Sequence, residues 1–425
     1  MRVYLESFGC AQNRGEGAAI ARAVAAHGHD VVDAPIGADA SILVTCGVIG
    51  PTESRMLERW RRLAELTPQV LVTGCLVPLR TGRFEGPGTD RTTFVPIRQQ
   101  ATIPQLLGDP GGASAGPIRA ARAELPRLAE EVVIAQGCTS GCAYCFSRLA
   151  RGSLTSVPAE QVALAVRAAV GRGAREVRLT ALDTSAWGCD LPGEKRLPDL
   201  VRSAASQVGP GRLRVGMMSP QSLGPFVERY AETLREAGVF RFVHLPVQSG
   251  SDAVLDAMHR GYTAAEFLRQ VTVLRRRVPD LHLATDVIVG YPTETEDDHR
   301  ATEQLIEEVG AEMVNVTRFS PRPGTPAARH PPLGPRLARD RSRRLAALRR
   351  RVGRERLERW IGERRPARIL EYGPGGTSVG RLDNYLPVVL SDRPPLGAEV
   401  DVTIDGARST YLLGRLAGGF GGDSK

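Results

Sequence analysis

Over the first hundred positions, short apolar runs alternate with stretches in which apolar residues recur at helical spacing. VYLES at 3 to 7 is followed by a helical pattern through Ala18 to Ala26, then HDVVD, SILVTC, a helix from Thr52 to Leu66, and VLVTGC. Strand–helix alternation of this kind predicts a parallel sheet covered on both faces. Pro and Gly thicken between Glu85 and Gly116, which places the linker out of this domain there. A second alternation follows, with strands reading VVIAQGC, EVRLTALD, RLRVGMM, RFVHLPVQ, LHLATDVIVG and MVNVTRFS. Six βα units in sequence suit a partial parallel barrel, because each crossover is right-handed and the strands curl in order.

After Pro335 the pattern changes. Leu345, Leu348 and Val352 mark the narrow apolar face of a helix, and the last sixty residues hold short β patterns (ARILEY, TSVGRL, LPVVLS, AEVDVTI, STYLLGRL) between turn residues. These predict a small antiparallel barrel. The fold class is α/β. A parallel sheet domain occupies 1–112, a linker 113–130, a central (βα)6 barrel 131–335, a basic helical segment 336–361 and the terminal β barrel 362–418.

Charge adds one feature. The chain carries a net +9, and residues 336–365 hold thirteen Arg against four acids, which equals that whole excess. Arginine at this density suits a polyanion, since it grips phosphate bidentately, and it equally suits a solvated helix. Arg343, Arg344, Arg349, Arg350 and Arg351 are the candidate RNA contacts. No stretch approaches the roughly 18 apolar residues of a spanning helix and no leader precedes the first strand, so the expectation is a cytoplasmic protein without membrane contact, and a monomer.

Seven cysteines in a long chain of this composition are metal ligands or reactive thiols more readily than disulfides. Cys138, Cys142 and Cys145 lie in GCTSGCAYCFS, directly after the first strand of the second domain. Three thiolates on one short loop can ligate three irons of a 4Fe-4S cluster and leave the fourth iron open. A zinc site would want a fourth ligand and paired knuckles, and the chain has no second C-x-x-C pair. Cys10, Cys46 and Cys75 each fall at the carboxyl end of a predicted strand, so a parallel sheet would bring all three to one edge. A second three-thiolate site follows. Cys189 matches neither set and reads as a spare thiol, and His244, on an apolar strand, reads as a core histidine.

The C-x-x-x-C-x-aromatic-C loop resembles the radical S-adenosylmethionine (SAM) signature. With Cys10, Cys46 and Cys75 ahead of it and a β barrel behind, the whole chain resembles the methylthiotransferases. Within them it is most similar to the archaeal and eukaryotic branch that acts on threonylcarbamoyladenosine beside the transfer RNA anticodon. The residues carrying that likeness are GPTESRML, YCFSRLARGSLTSVP, LTALDTSAWGCDL, HLPVQSGSDAVLDAMHR, ATDVIVGYPTET and FSPRPGTPAA. Two departures stand in loops: AQNRGEG follows Cys10 where the family has an Asn followed by Asp-Ser-Glu, and Thr293 replaces a usual Gly, although Asn13 remains.

The resemblance implies two 4Fe-4S clusters, one on Cys138, Cys142 and Cys145 that binds SAM at its open iron and one on Cys10, Cys46 and Cys75 that holds the sulfur to be inserted, with a second SAM giving the methyl group. It implies that Tyr144 contacts adenine and that Asp183, Thr184, Gln248, Ser249 and Asp286, with Met217, Met218 and Gly250, orient SAM. It further implies a C-terminal TRAM domain that binds RNA, an electron donor such as flavodoxin or ferredoxin, and a sulfur donor. The expected product is a methylthio group at C2 of N6-threonylcarbamoyladenosine. A sister branch modifies a ribosomal-protein aspartate, and a peptide substrate is the alternative that charge does not settle. A non-catalytic RNA-binding or iron-storage protein would not need an open-corner loop at a barrel mouth.

Overall fold

The computed structural model describes residues 1–47, 50–79, 82–108 and 128–417. Five parallel strands open the chain: β1 (Arg2–Ser7), β2 (Asp30–Val32), β3 (Ala40–Thr45), β4 (Gln69–Gly74) and β5 (Thr92–Phe94), in the order β2-β1-β3-β4-β5. All six residues of β3 are buried, as a central parallel strand covered on both faces requires. Helix α1 (Ala11–Ala26) starts seven residues before its apolar pattern does. Its first turns bury Gln12, Asn13 and Glu16 instead of apolar side chains, which hid them from a hydrophobic reading. Past Glu85, where Pro and Gly thicken, the first domain continues: β5 and a helical stretch from Ile97 to Leu106 lie within 1–112, because Val95 and Ile103 join the core beneath β1, β3 and β4. Most of 113–130 lies outside the described residues.

The second unit has six parallel strands: β6 (Ala129–Val133), β7 (Glu176–Thr180), β8 (Arg212–Val215), β9 (Phe242–His244), β10 (His282–Val289) and β11 (Met313–Arg318). They pair as β8-β7-β6 and β9-β10-β11, and bridges Leu213 to Val239 and Met217 to His244 join the two groups. This is the partial barrel that six βα units predict. Its interior and the helices around it form one continuous apolar core from Val132 to Leu345.

The basic segment is a single helix, α2 (Pro335–Glu358), which runs antiparallel to β11. Near its start, Ala338 packs under Gly290, just beyond the carboxyl end of β10 (a Cβ on Gly290 would lie 3.0 Å from that of Ala338). Near its end, Arg356 and Arg359 donate to Glu312, which precedes β11, at 3.0 and 3.1 Å. The chain then closes a five-stranded barrel of β12 (Arg364–Tyr372), β13 (Ser378–Leu382), β14 (Pro387–Leu390), β15 (Glu399–Ala407) and β16 (Leu412–Leu416). Four of its pairings are antiparallel and one, β14 with β16, is parallel, so the purely antiparallel expectation is corrected there. Its β13–β14 turn is seated against the amino ends of the large barrel. Arg212 pairs with Asp383 at 2.8 Å, Asn384 donates to the Asp280 carbonyl at 3.0 Å, and the buried Tyr385 hydroxyl donates to Glu176 at 2.8 Å. The small barrel therefore sits at the end of the large one opposite the cysteine loop. Among the described residues no helix is long and apolar enough to cross a membrane.

Candidate active site

Cys10, Cys46 and Cys75 follow β1, β3 and β4 at one edge of the sheet. Two glycines let them approach. Gly74 has φ +96°, and a Cβ there would stand 2.4 Å from the Thr45 carbonyl, to which the Cys75 amide donates at 3.0 Å. Gly9 has φ +102°, and its Cβ would meet the Cys46 sulfur at 2.8 Å. Asn13 ties the edge together by donating to the carbonyls of Phe8 and Thr45 at 2.7 and 3.0 Å. The Cys10 and Cys46 thiols both act electrostatically on Cys75.

The second set is held by its own loop. Gly137 has φ +70° where a Cβ would lie 2.1 Å from the Ser153 carbonyl, the Cys138 amide donates to Gly152, and Cys145 precedes helix Phe146–Arg151. Arg260 donates to the Cys142 sulfur at 3.1 Å and to the Tyr144 hydroxyl at 3.3 Å. The three thiols interact electrostatically with one another. No three His, Cys, Asp or Glu among the described residues stand at the separations of one bound metal ion. A 4Fe-4S cluster does not ask for that, because each thiolate takes a different iron. Two sets of three soft sulfur donors, each on a glycine-shaped edge, fit such clusters.

Burial raises the Cys75 thiol to about 12 and the Cys145 thiol to about 11, and raises Cys138 as well. In the cluster-free fold these groups are neutral at pH 7, so iron binding must displace their protons. The stability consequence has a definite sign. Below an ordinary thiol pKa of about 8.5 folded and unfolded chains are both protonated, and above it only the folded chain keeps its protons, so stability falls as pH rises. We expect the melting temperature of cluster-free protein to drop between pH 8 and pH 10 (a range set by those pKa values), and a Cys75→Ala, Cys145→Ala variant to lose part of that slope. Equal slopes in the two proteins would contradict it.

The expected SAM contacts divide into two groups. Tyr144, Gln248 and Asp286 line a cavity of about 290 Å³ at the carboxyl ends of β9, β10 and β11, together with Asn315 and Arg318. Gln248 holds φ +72°, an uncommon conformation for a side-chain-bearing residue and one that clusters at functional sites. Asp286 accepts from His244 at 2.9 Å and Asn315 at 2.7 Å. His244 is thus half-buried at the barrel mouth, and the core reading of it is corrected. Asp183, Thr184 and Ser249 lie deeper. The buried Asp183 carboxylate accepts from Ser185, Ser219 and Ser222, Thr184 donates to the Met217 carbonyl at 3.0 Å, and Ser249 bonds Thr302. β7 ends at Thr180, and Asp183 caps the turn that follows. Met218 is buried, and Cys189 is exposed in the loop after Trp187.

Sequence reasoning missed the group that joins the two sites. Arg151, which ends the helix behind Cys145, has a side chain with no exposure, and Glu16, in the helix behind Cys10, is 4% exposed. Arg151 grips both oxygens of Glu16 and donates to Asn13 at 2.6 Å and to Gln136 at 2.8 Å. Gln12 closes the network on Gln136 at 2.8 Å. Burial opposes the guanidinium charge, and the Glu16 carboxylate bonded to it outweighs that and holds it protonated. The polar positions 12, 13 and 16 at the start of α1 were the available signal.

The five candidate RNA arginines separate. Arg344 pairs with Glu296 and with Glu303 at 2.5 Å, Arg351 with Glu307 and Glu355, and the half-buried Arg349 donates to the Val314 carbonyl at 3.1 Å. Arg343 and Arg350 remain exposed.

A six-strand partial barrel with a three-cysteine loop at its carboxyl mouth defines a class, and residues 132–306 match the radical SAM superfamily. Residues 2–86 match an uncharacterized protein family, UPF0004, and residues 358–417 match the TRAM domain. Full-length relatives narrow the class. A probable threonylcarbamoyladenosine tRNA methylthiotransferase of Methanothermobacter thermautotrophicus is 35% identical over 97% of this chain and 99% of its own. One so named from Pyrococcus horikoshii is 33% identical over 98% and 99%, and the threonylcarbamoyladenosine tRNA methylthiotransferase of Mus musculus is 30% identical over 97% and 74%. The chain belongs to the threonylcarbamoyladenosine tRNA methylthiotransferase family. Among solved structures, the radical SAM methyltransferase TsrM of Kitasatospora setae, with cobalamin and a 4Fe-4S cluster bound, covers 77% of each chain at TM-score 0.58 and 16% identity. That likeness is one of fold.

Proposed function

We propose that this enzyme replaces the C2 hydrogen of N6-threonylcarbamoyladenosine, next to the tRNA anticodon, with a methylthio group. Cys138, Cys142 and Cys145 hold one 4Fe-4S cluster and Cys10, Cys46 and Cys75 the other. Bound there with SAM, these groups supply the reductive SAM cleavage, the hydrogen abstraction, the sulfur and the methyl that the reaction needs. The chain's own residues supply position. Tyr144, Gln248 and Asp286 line the cavity beside the Cys145 loop, and His244 with Asn315 fixes the Asp286 carboxylate by two hydrogen bonds. Asp183, Thr184 and Ser249 are buried away from that lining and bonded to neighbouring protein groups. The Tyr144 side chain, half-buried and bonded to Arg260, keeps its hydroxyl proton, because desolvation raises it well above its ordinary value.

The observation that carries the reading is the convergence of the two cysteine sets on one interface, locked by Arg151, Glu16 and Asn13. A sulfur-inserting reaction needs its sulfur source and its radical source to face one substrate atom. The enzyme draws electrons from a donor such as flavodoxin or ferredoxin and sulfur from a separate donor, engages the anticodon stem-loop, and works as a monomer. The test is nucleoside mass spectrometry of tRNA from a deletion strain and from the complemented strain. The methylthiolated form of threonylcarbamoyladenosine should disappear in the first and return in the second, and its presence in both would refute the assignment.

A further inference from the structure

The small C-terminal barrel docks on the amino ends of the radical SAM strands, whereas the cysteine loop and its cavity open at their carboxyl ends. An RNA that touches both must cross the height of the large barrel. The element that spans that height is α2, anchored near Gly290 at one end and at Glu312 at the other. Its inward face is fixed by Arg341, 4% exposed and bonded to Glu294, and by the buried Leu345, Val352 and Leu357. Arg344 and Arg351 reach sideways to Glu296, Glu303 and Glu307 on helix Glu296–Val309. These cations are neutralised and serve the docking of α2.

Arg336, Arg339, Arg343 and Arg350 behave differently. All four are exposed, and Arg343 has a single ion contact, with Asp340 at 3.6 Å, while Arg336, Arg339 and Arg350 have none among the described residues. At 3.6 residues per turn the four fall within an arc of about 60°, and at 1.5 Å per residue they span about 21 Å. Consecutive basic residues would scatter around a helix, and this spacing makes a line instead.

We propose that Arg336, Arg339, Arg343 and Arg350 form a track for the RNA phosphate backbone, carrying the stem from the TRAM domain to the cavity beside Cys145. The proposal rests on the tRNA reading above and assigns its contact surface. Exposed guanidiniums in a row, three of them without an acidic partner among the described residues, complement a polyanion, and each phosphate contact releases condensed counterions.

The test is a salt titration of anticodon stem-loop RNA binding to cluster-loaded protein, comparing a variant with Gln at positions 336, 339, 343 and 350 to an Arg344→Gln, Arg351→Gln variant. The track variant should lose at least about tenfold in affinity at low salt, and its log-affinity against log-salt slope should flatten by roughly 0.7–0.9 per contact, or about three overall. The paired-arginine variant should keep the slope and melt at lower temperature. RNA-free SAM cleavage should be unchanged in the track variant, which also reports that it is folded. An unchanged slope in the track variant, or equal losses in both variants, would overturn the proposal. Nucleoside analysis separates the two readings. Methylthiolated product with an unchanged slope refutes the track alone, and a flattened slope with no such product supports the track while refuting the assigned reaction.

Discussion

Replacing Cys138, Cys142 and Cys145 together with Ala is expected to halve the iron of the reconstituted enzyme, from about eight to about four per chain, and to abolish reductive SAM cleavage. Replacing Cys10, Cys46 and Cys75 is expected to remove the other half and leave SAM cleavage largely intact while abolishing methylthiolation. The two variants divide because the geometry divides. One set rides on a barrel loop beside the cavity lined by Tyr144, Gln248 and Asp286, and the other sits at the edge of a separate sheet. Iron analysis, 5′-deoxyadenosine release and nucleoside product are the three readouts. Cleavage in the first variant, or product in the second, would break the division of labour.

The second large effect concerns Arg151. Arg151→Met leaves the Glu16 carboxylate buried without its cation, and removing one partner of a buried pair costs about 3–5 kcal/mol. A sharp fall in melting temperature is the expected result. The double variant Arg151→Met, Glu16→Leu should regain much of that loss, because an apolar replacement of a whole buried pair is often neutral. Its chemistry should not recover. Without the network that ties the helix behind Cys145 to the helix behind Cys10, SAM should be cleaved without matching product, and the ratio of 5′-deoxyadenosine to methylthiolated nucleoside should rise. A stabilised double variant with the native ratio would show that Arg151 and Glu16 serve folding alone.

Much of this architecture was legible in the chain because it rests on periodicity. Alternating apolar runs mark every strand that positions a cysteine, and strand-end placement brought Cys10, Cys46 and Cys75 together from three distant segments. The features that escaped are polar and long-range. Gln12, Asn13 and Glu16 give α1 no apolar face at its start, so the apolar pattern begins seven residues after the helix does. Arg151 stands 135 residues from Glu16, a separation that no local pattern encodes. Thr92–Phe94 is a three-residue strand among turn residues, too short for an alternation to register. His244 carries an apolar neighbourhood in sequence and a carboxylate partner in space. For the arginines, composition reported their number, and only the docked helix shows which of them face acids.

Cluster-loaded enzyme should be given tRNA bearing threonylcarbamoyladenosine, a low-potential reductant, sulfide and SAM labelled with deuterium in its methyl group, and the nucleosides then weighed. The modified adenosine should gain a methylthio group carrying the label, with 5′-deoxyadenosine released alongside it. Labelled methylthio on a ribosomal protein or peptide offered in the same mixture, with the tRNA nucleoside unchanged, would contradict the proposed reaction.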